Sequence, residues 1–188
     1  GVVSSLASTA GSVSCGRGSG CRASSTYQPE IGDWLSTTER FPAGVDGVAS
    51  AIAAAGFTPG IWLAPFIAAP GSEVAMAHPE WLAREADDPT QPMVGMFNDI
   101  WGGFMYGLDI TRPDVLDHLA TTARDLVDAG YDYLKLDFTF SAKQRGLYAD
   151  PTLTPAERVR GAYDAVRRGA GEDTFILGCG APLGSLVG

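Results

Sequence analysis

Residues 131–140 read Tyr-Asp-Tyr-Leu-Lys-Leu-Asp-Phe-Thr-Phe, and a period of two puts Leu134, Leu136 and Phe138 on one face and Tyr133, Lys135 and Asp137 on the other. One face is apolar; the other ends in a charged pair. Helical patterns on both sides predict a parallel strand covered by helices. Upstream, the stripe Val45, Val48, Ala49, Ile52 and Ala55 predicts a helix over 45–55 that Gly56 ends. Residues 57–66 follow, with the core Gly60-Ile61-Trp62-Leu63-Ala64-Pro65-Phe66 reading as a buried strand stopped by proline. Thr111 with Asp114 predicts a capping box, and Pro113 suits the first turn of a helix that buries Val115, Leu116, Leu119, Ala123, Leu126 and Val127 and ends at Gly130. Its polar face, with Asp117, His118, Arg124, Asp125 and Asp128, reads as solvated. Thr154, Pro155 and Glu157 repeat the start signal for a helix to about residue 168, with Val159, Ala162, Tyr163 and Val166 inward and Gly169 and Gly171 closing it. Residues 174–177 read as a further buried strand. Strands alternating with helices predict an α/β fold with parallel pairing.

Two stretches break this alternation. Residues 67–111 loosen into short helical pieces, 72–76 and 78–84, and turns rich in Gly and Pro, with Trp81, Met93, Met96, Phe97, Trp101, Phe104, Met105 and Tyr106 scattered through them. Such an insertion is either a binding wall at a strand's C-terminal end or a small core of its own. Residues 1–26 are rich in Ser, Gly and Ala without apolar periodicity and read as a disordered or non-native leader. The run Gly16-Arg17-Gly18-Ser19-Gly20 within them lacks the Gly-Lys-Ser/Thr ending of a phosphate cradle and reads as a flexible segment.

Composition narrows the function. The chain has 188 residues, enough for one domain but short of the ~250 of a closed (β/α)8 barrel. It starts at Gly1 and stops at Gly188 just after a strand, so both ends read as cut. Thirteen Lys and Arg against 22 Asp and Glu give a net charge of -9 with no basic cluster, which argues against nucleic acid and anionic membrane as partners. No apolar run is long enough to span a bilayer. Cys15, Cys21 and Cys179 cannot make a disulfide framework, which suits a reducing, cytoplasmic location. His78 and His118 lack metal-ligand spacing, and no metal or cofactor is expected.

If the three strands lie parallel and side by side, their C-terminal ends bring Trp62, Ala64, Lys135, Asp137 and Cys179 to one rim. A tryptophan, an ammonium and a carboxylate suit a neutral polyol: the indole lies on a sugar's apolar face while the charged groups contact hydroxyls. Lys135 favours the ionised form of Asp137, as a nucleophile needs and a proton donor does not. The competing reading of Lys135 and Asp137 is an ion pair that fixes strand register. For Cys179 it is a small apolar filler.

These residues also carry a resemblance. Gly32-Asp33-Trp34 with Phe41-Pro42, the 60–66 strand, His78-Pro79-Glu80-Trp81-Leu82, Leu108-Asp109-Ile110-Thr111, Tyr133-Leu134-Lys135-Leu136-Asp137-Phe138 and Gly178-Cys179-Gly180-Ala181-Pro182-Leu183 together resemble the catalytic barrel of the glycoside hydrolase family 36 α-galactosidases, or melibiases. The resemblance covers about residues 27–188 and implies a partial (β/α)8 TIM barrel from a retaining hydrolase of terminal α-galactosides. It implies Asp137 as nucleophile, and Lys135, Trp62, Cys179, Asp33 and Trp34 as substrate-binding residues, with an oligosaccharide substrate and a possible homo-oligomer in the full-length enzyme. The family's Asp-Asp-Gly before the Tyr-Gln matching Tyr27-Gln28 reads Ser24-Ser25-Thr26 here. Its acid/base aspartate lies on a strand after the Gly-Cys-Gly segment, so the resemblance implies a fragment lacking that group. Two alternatives stand beside hydrolysis: an α-galactosyl transfer enzyme of the raffinose-synthase type, and a non-catalytic sugar-binding remnant.

Overall fold

Short apolar runs joined by amphipathic helices fold into a parallel sheet, as a computed structural model describing residues 2–4, 31–35, 41–182 and 184 shows. Strands β2 (Thr58–Leu63), β6 (Tyr133–Leu136) and β7 (Phe175–Gly178) pair in parallel, with β1 (Val2–Ser4) on the free side of β2, in the order β1-β2-β6-β7. Within the stretch read as a leader, Val2–Ser4 thus pair with β2 at Thr58, Pro59 and Gly60. Residues 5–26, including Cys15, Cys21, the 16–20 glycine run and Ser24-Ser25-Thr26, lie outside the described residues, as do Tyr27 and Gln28.

The helices α3 (Pro113–Asp128) and α4 (Pro155–Ala170) cover one face of the sheet. Val115, Leu119, Ala123 and Leu126 from α3 and Val159, Ala162 and Val166 from α4 join Leu63, Leu134 and Leu136 in one buried core. The capping box at Thr154 and Glu157 is present on both sides. That expected at Thr111 is not. Asp109 takes the Thr111 amide and hydroxyl (3.1 and 2.6 Å), so Arg112 becomes the N-cap with no side-chain bond and Pro113 opens the helix. Gly169 does not end α4; the helix runs on to Ala170, and Gly171 closes it at φ +75°. Gly169 instead lets α4 approach α3: a Cβ there would lie 1.9 Å from the Ala120 carbonyl oxygen. The polar face of α3 is also not uniformly solvated, since His118 is half-buried against Trp81.

Helix α1 (Gly44–Ala54) forms where expected, but of its apolar stripe only Ala49 is buried. Strand β7 was expected to be buried. It is the outer strand of the described sheet, and Phe175 and Leu177 are exposed.

Between β2 and α3 the chain makes an excursion that the sequence reading left as helical pieces and turns. Ser72 caps α2 (Glu73–Ala77) and a 3₁₀ turn spans Pro79–Trp81, but the excursion is built on a second, antiparallel sheet. Its strands are β3 (Ile67–Ala68), β4 (Val94–Asn98) and β5 (Gly103–Gly107), in the order β3-β5-β4. Glycines hid it: Gly95 and Gly107 let the strands approach so closely that a Cβ on Gly95 would lie 3.0 Å from Gly107 Cα, and they erase the alternation that signals a strand. The chain after β6 also takes a definite shape. It folds into a 3₁₀ turn at Thr139–Lys143, and Tyr148 beyond it is buried beneath the Arg158 guanidinium, 3.9 Å from its ring centre.

Candidate active site

Parallel register places Trp62 beside Lys135. Beyond the last ladder pairs, Asp137 N–H donates to Leu63 O (2.8 Å) and Cys179 N–H to Leu136 O (2.7 Å), so the strand ends continue in step. Trp62, Lys135, Asp137 and Cys179 therefore meet at the C-terminal end of the sheet, on the face away from the helix-covered Leu63, Leu134 and Leu136. Ala64, expected at the same rim, is fully buried beneath the excursion with Met96 and Met105.

Among the described residues, two N–H donors and a cation face the Asp137 carboxylate. Trp62 Nε1–H donates to Oδ2 (3.0 Å), the Phe138 amide donates to Oδ1 (2.8 Å), and Lys135 Nζ lies 3.4 Å from Oδ2. The Cys179 thiol also bears on the charge of this carboxylate. Burial works against the charge, but the indole, the amide, the thiol and then the ammonium outweigh it and hold Asp137 below the ordinary aspartate range. Strand spacing points to Lys135 alone, but the indole and amide are closer. Asp137 in turn pushes the Cys179 thiol up, because a thiol beside a carboxylate resists ionisation. The carboxylate side chain retains 15% of its accessible surface and that of Lys135 29%, so a small molecule can reach both. An ionised carboxylate has room for about four hydrogen bonds.

Phe138 departs from its expected place. Instead of joining Leu134 and Leu136, it takes a left-handed backbone at φ +53°, a conformation that disfavours a bulky side chain. This aims its amide at Asp137 and swings its ring towards Trp62 (6.3 Å between centres), Phe140 (6.1 Å) and Trp101 (5.1 Å), all edge-on. Trp34 and Trp101 also meet Trp62 edge-on, at 5.8 and 5.6 Å. Of the large side chains scattered through the excursion, Trp101 thus reaches the site, Met96 and Met105 pack in one buried cluster and Met93 in another, and Phe97 and Phe104 are exposed. Sequence spacing carried no signal that separated them.

Asp33 lies in the loop before Trp34. Its carboxylate accepts from the Glu73 and Val74 amides (2.8 and 3.2 Å), holding the first turn of α2 to the loop that carries Trp34. His78 stacks on Trp81 with ring centres 3.8 Å apart and His118 tilts against it at 5.1 Å. Burial pushes the His118 imidazole down, with the charge of His78 adding to it. Among the described residues no three His, Cys, Asp or Glu side chains gather as metal ligands, and no helix is long and apolar enough to cross a membrane.

The melibiase family model matches residues 19–159. α-Galactosidase AgaA of Geobacillus stearothermophilus is 29% identical over 122 residues, which is 64% of this chain and 16% of that protein. α-Galactosidase 2 of Pediococcus pentosaceus is 28% identical over 144 residues, 74% and 19% respectively. The structure of a Thermus thermophilus α-galactosidase in complex with p-nitrophenyl α-D-galactopyranoside superposes with a TM-score of 0.71 at 34% identity, covering 85% of this chain and 31% of that one. The chain thus spans less than a fifth of these curated relatives and about a third of the solved structure.

Proposed function

The chain belongs to the melibiase family, and from that premise we propose that it carries the nucleophile half of the active site of a retaining α-galactosidase acting on terminal α-galactosides. The observation that carries this reading is Asp137: a partly exposed carboxylate at the C-terminal end of a parallel strand, held charged by an indole, an amide, a thiol and an ammonium. A nucleophile must be ionised and its donors must leave a lone pair for the anomeric carbon; both conditions are met. A structural ion pair would not need the indole and amide donors as well.

In the proposed reaction Asp137 attacks the anomeric carbon and displaces the aglycone, forming a covalent glycosyl-enzyme. Water then cleaves that bond with a second inversion, so configuration is retained overall. The acid that protonates the leaving oxygen and later activates water comes from polypeptide outside these 188 residues, at ~5–5.5 Å from Asp137 as double displacement requires. Lys135 and Cys179 contact sugar hydroxyls, Trp62 and Trp34 present ring surface to the pyranose, and Asp33 supports the Trp34 loop. The parallel sheet and its outer helices form part of a (β/α)8 barrel, spanning residues 27–188, in a domain that operates without a cofactor. Solved relatives hold p-nitrophenyl α-D-galactopyranoside, stachyose and raffinose, and oligosaccharides of this kind are the substrates we assign.

The test is Asp137→Asn in the full-length protein. It should lower kcat on p-nitrophenyl α-galactoside by roughly three orders of magnitude or more, and the wild-type protein should release the α-anomer first, as proton NMR of the product reports. Activity retained in Asp137→Asn would sink the assignment. A raffinose-synthase type of enzyme would instead favour a sugar acceptor over water as acceptor concentration rises, and a sugar-binding remnant would show no turnover at all.

A further inference from the structure

The 3₁₀ turn at Asp99–Trp101 is the tip of the β4–β5 hairpin, outside the parallel sheet. The tip holds its own shape: the Asn98 side chain accepts from the Ile100 amide (2.9 Å), and Gly102 and Gly103 take φ of +84° and +131°. It brings the Trp101 ring edge-on to Trp62 and to Phe138, at 5.6 and 5.1 Å. Those two residues are the ones that donate to opposite oxygens of Asp137, Trp62 through its indole and Phe138 through its amide. We propose that Trp101 is a positioning residue for the nucleophile, holding the Trp62 ring and the left-handed backbone at Phe138 in the poses from which both donate to Asp137. It packs on both donors.

The inference rests on Asp137 being the nucleophile, but its physical core is separable from that reading. Four groups face the carboxylate besides the Phe138 amide: Lys135 from β6, Trp62 from β2, the Cys179 thiol after β7 and, by charge alone, the Tyr163 hydroxyl of α4. With Trp101 removed, two donors loosen while the Lys135 and Cys179 side chains stay. The charged form of Asp137 then loses support, and its titration moves to higher pH.

The experiment uses Trp101→Leu, which keeps apolar bulk without a ring edge, and Trp101→Phe, which keeps an edge, both in the full-length protein. Trp101→Met replaces the leucine variant should that one not fold. One readout is the pH profile of kcat/KM on p-nitrophenyl α-galactoside. The other is the pH titration of the Trp62 indole N–H resonance in protein labelled with 15N-tryptophan, which follows Asp137 whether or not turnover occurs. Trp101→Leu should move both midpoints to higher pH and lower kcat/KM by about tenfold, chiefly through kcat. Trp101→Phe should restore most of the loss, and Phe97→Ala, on the exposed part of the same hairpin, should move neither midpoint. An indole midpoint unmoved in the leucine variant overturns the positioning role. A midpoint that moves in a protein without hydrolytic activity supports positioning and removes only the hydrolase reading.

Discussion

An aspartate that accepts from an indole at 3.0 Å and an amide at 2.8 Å, with an ammonium at 3.4 Å, loses those attractions when it is protonated. The sign of the linkage follows. Because the folded value lies below the ordinary one, the stabilisation is complete above the ordinary aspartate range and disappears as pH falls through the depressed folded value. Activity that needs the carboxylate should therefore persist below the pH at which a free aspartate would begin to take up protons. Trp62→Phe tests which neighbour matters most. It keeps the ring surface and removes the nearest side-chain donor, so the acidic limb of kcat/KM should move to higher pH and the rate fall by about 10- to 100-fold. Lys135→Met should shift the limb in the same direction but by less, since Lys135 ranks behind the indole, amide and thiol in keeping the carboxylate ionised. A larger shift in Lys135→Met than in Trp62→Phe, in matched pH profiles, would return the leading role to the ammonium.

Among elements, α3 and α4 show how a small residue can decide packing. A Cβ at Gly169 would meet the Ala120 carbonyl at 1.9 Å, which only separation of the helices can relieve. Gly169→Ala should thus destabilise by about 1–3 kcal/mol despite the better helix propensity of alanine. Gly161, in the same helix with nothing within 4 Å of its ideal Cβ, is the matched control, and Gly161→Ala should stabilise by about 0.5–1 kcal/mol. Urea unfolding of the two variants checks the pair, and equal signs would refute the packing account. The same contrast explains what was legible in sequence. Helices α1, α3 and α4 and strands β2, β6 and β7 announce themselves by period and punctuation, and parallel register then brings Trp62, Lys135, Asp137 and Cys179 to one end without further information. The β4–β5 hairpin left no such trace, because Gly95, Gly103 and Gly107 remove the alternating side chains a strand is recognised by. Trp101 was hidden with it. Phe138 was misplaced for another reason: strict alternation assumes extended backbone, and the chain turns left-handed one residue past Asp137.

On the scale of the whole molecule, the described residues leave apolar surface without a partner. Phe41, Pro42, Val48, Ile52 and Phe57 line a groove of about 460 Å³ along α1. At the other side of the sheet Phe175 is 58% exposed and Leu177 38%, on the outer strand β7. The curated relatives are several times longer than this chain. Produced as 188 residues alone, the chain sets these patches and the backbone edge of β7 against a net charge of -9. Charge repulsion acts over about 10 Å at moderate salt and shrinks as salt rises, whereas apolar association and strand pairing do not weaken with it. Self-association should therefore increase with ionic strength, giving an apparent mass above the 19.6 kDa of the monomer in sedimentation velocity. Phe175→Lys adds a charge to the edge that pairing must bury, and it should bring the mass back towards the monomer without altering the circular dichroism of the helices. A chain that stays monomeric at every salt concentration would mean that these surfaces are not sticky and that the sheet edge is protected.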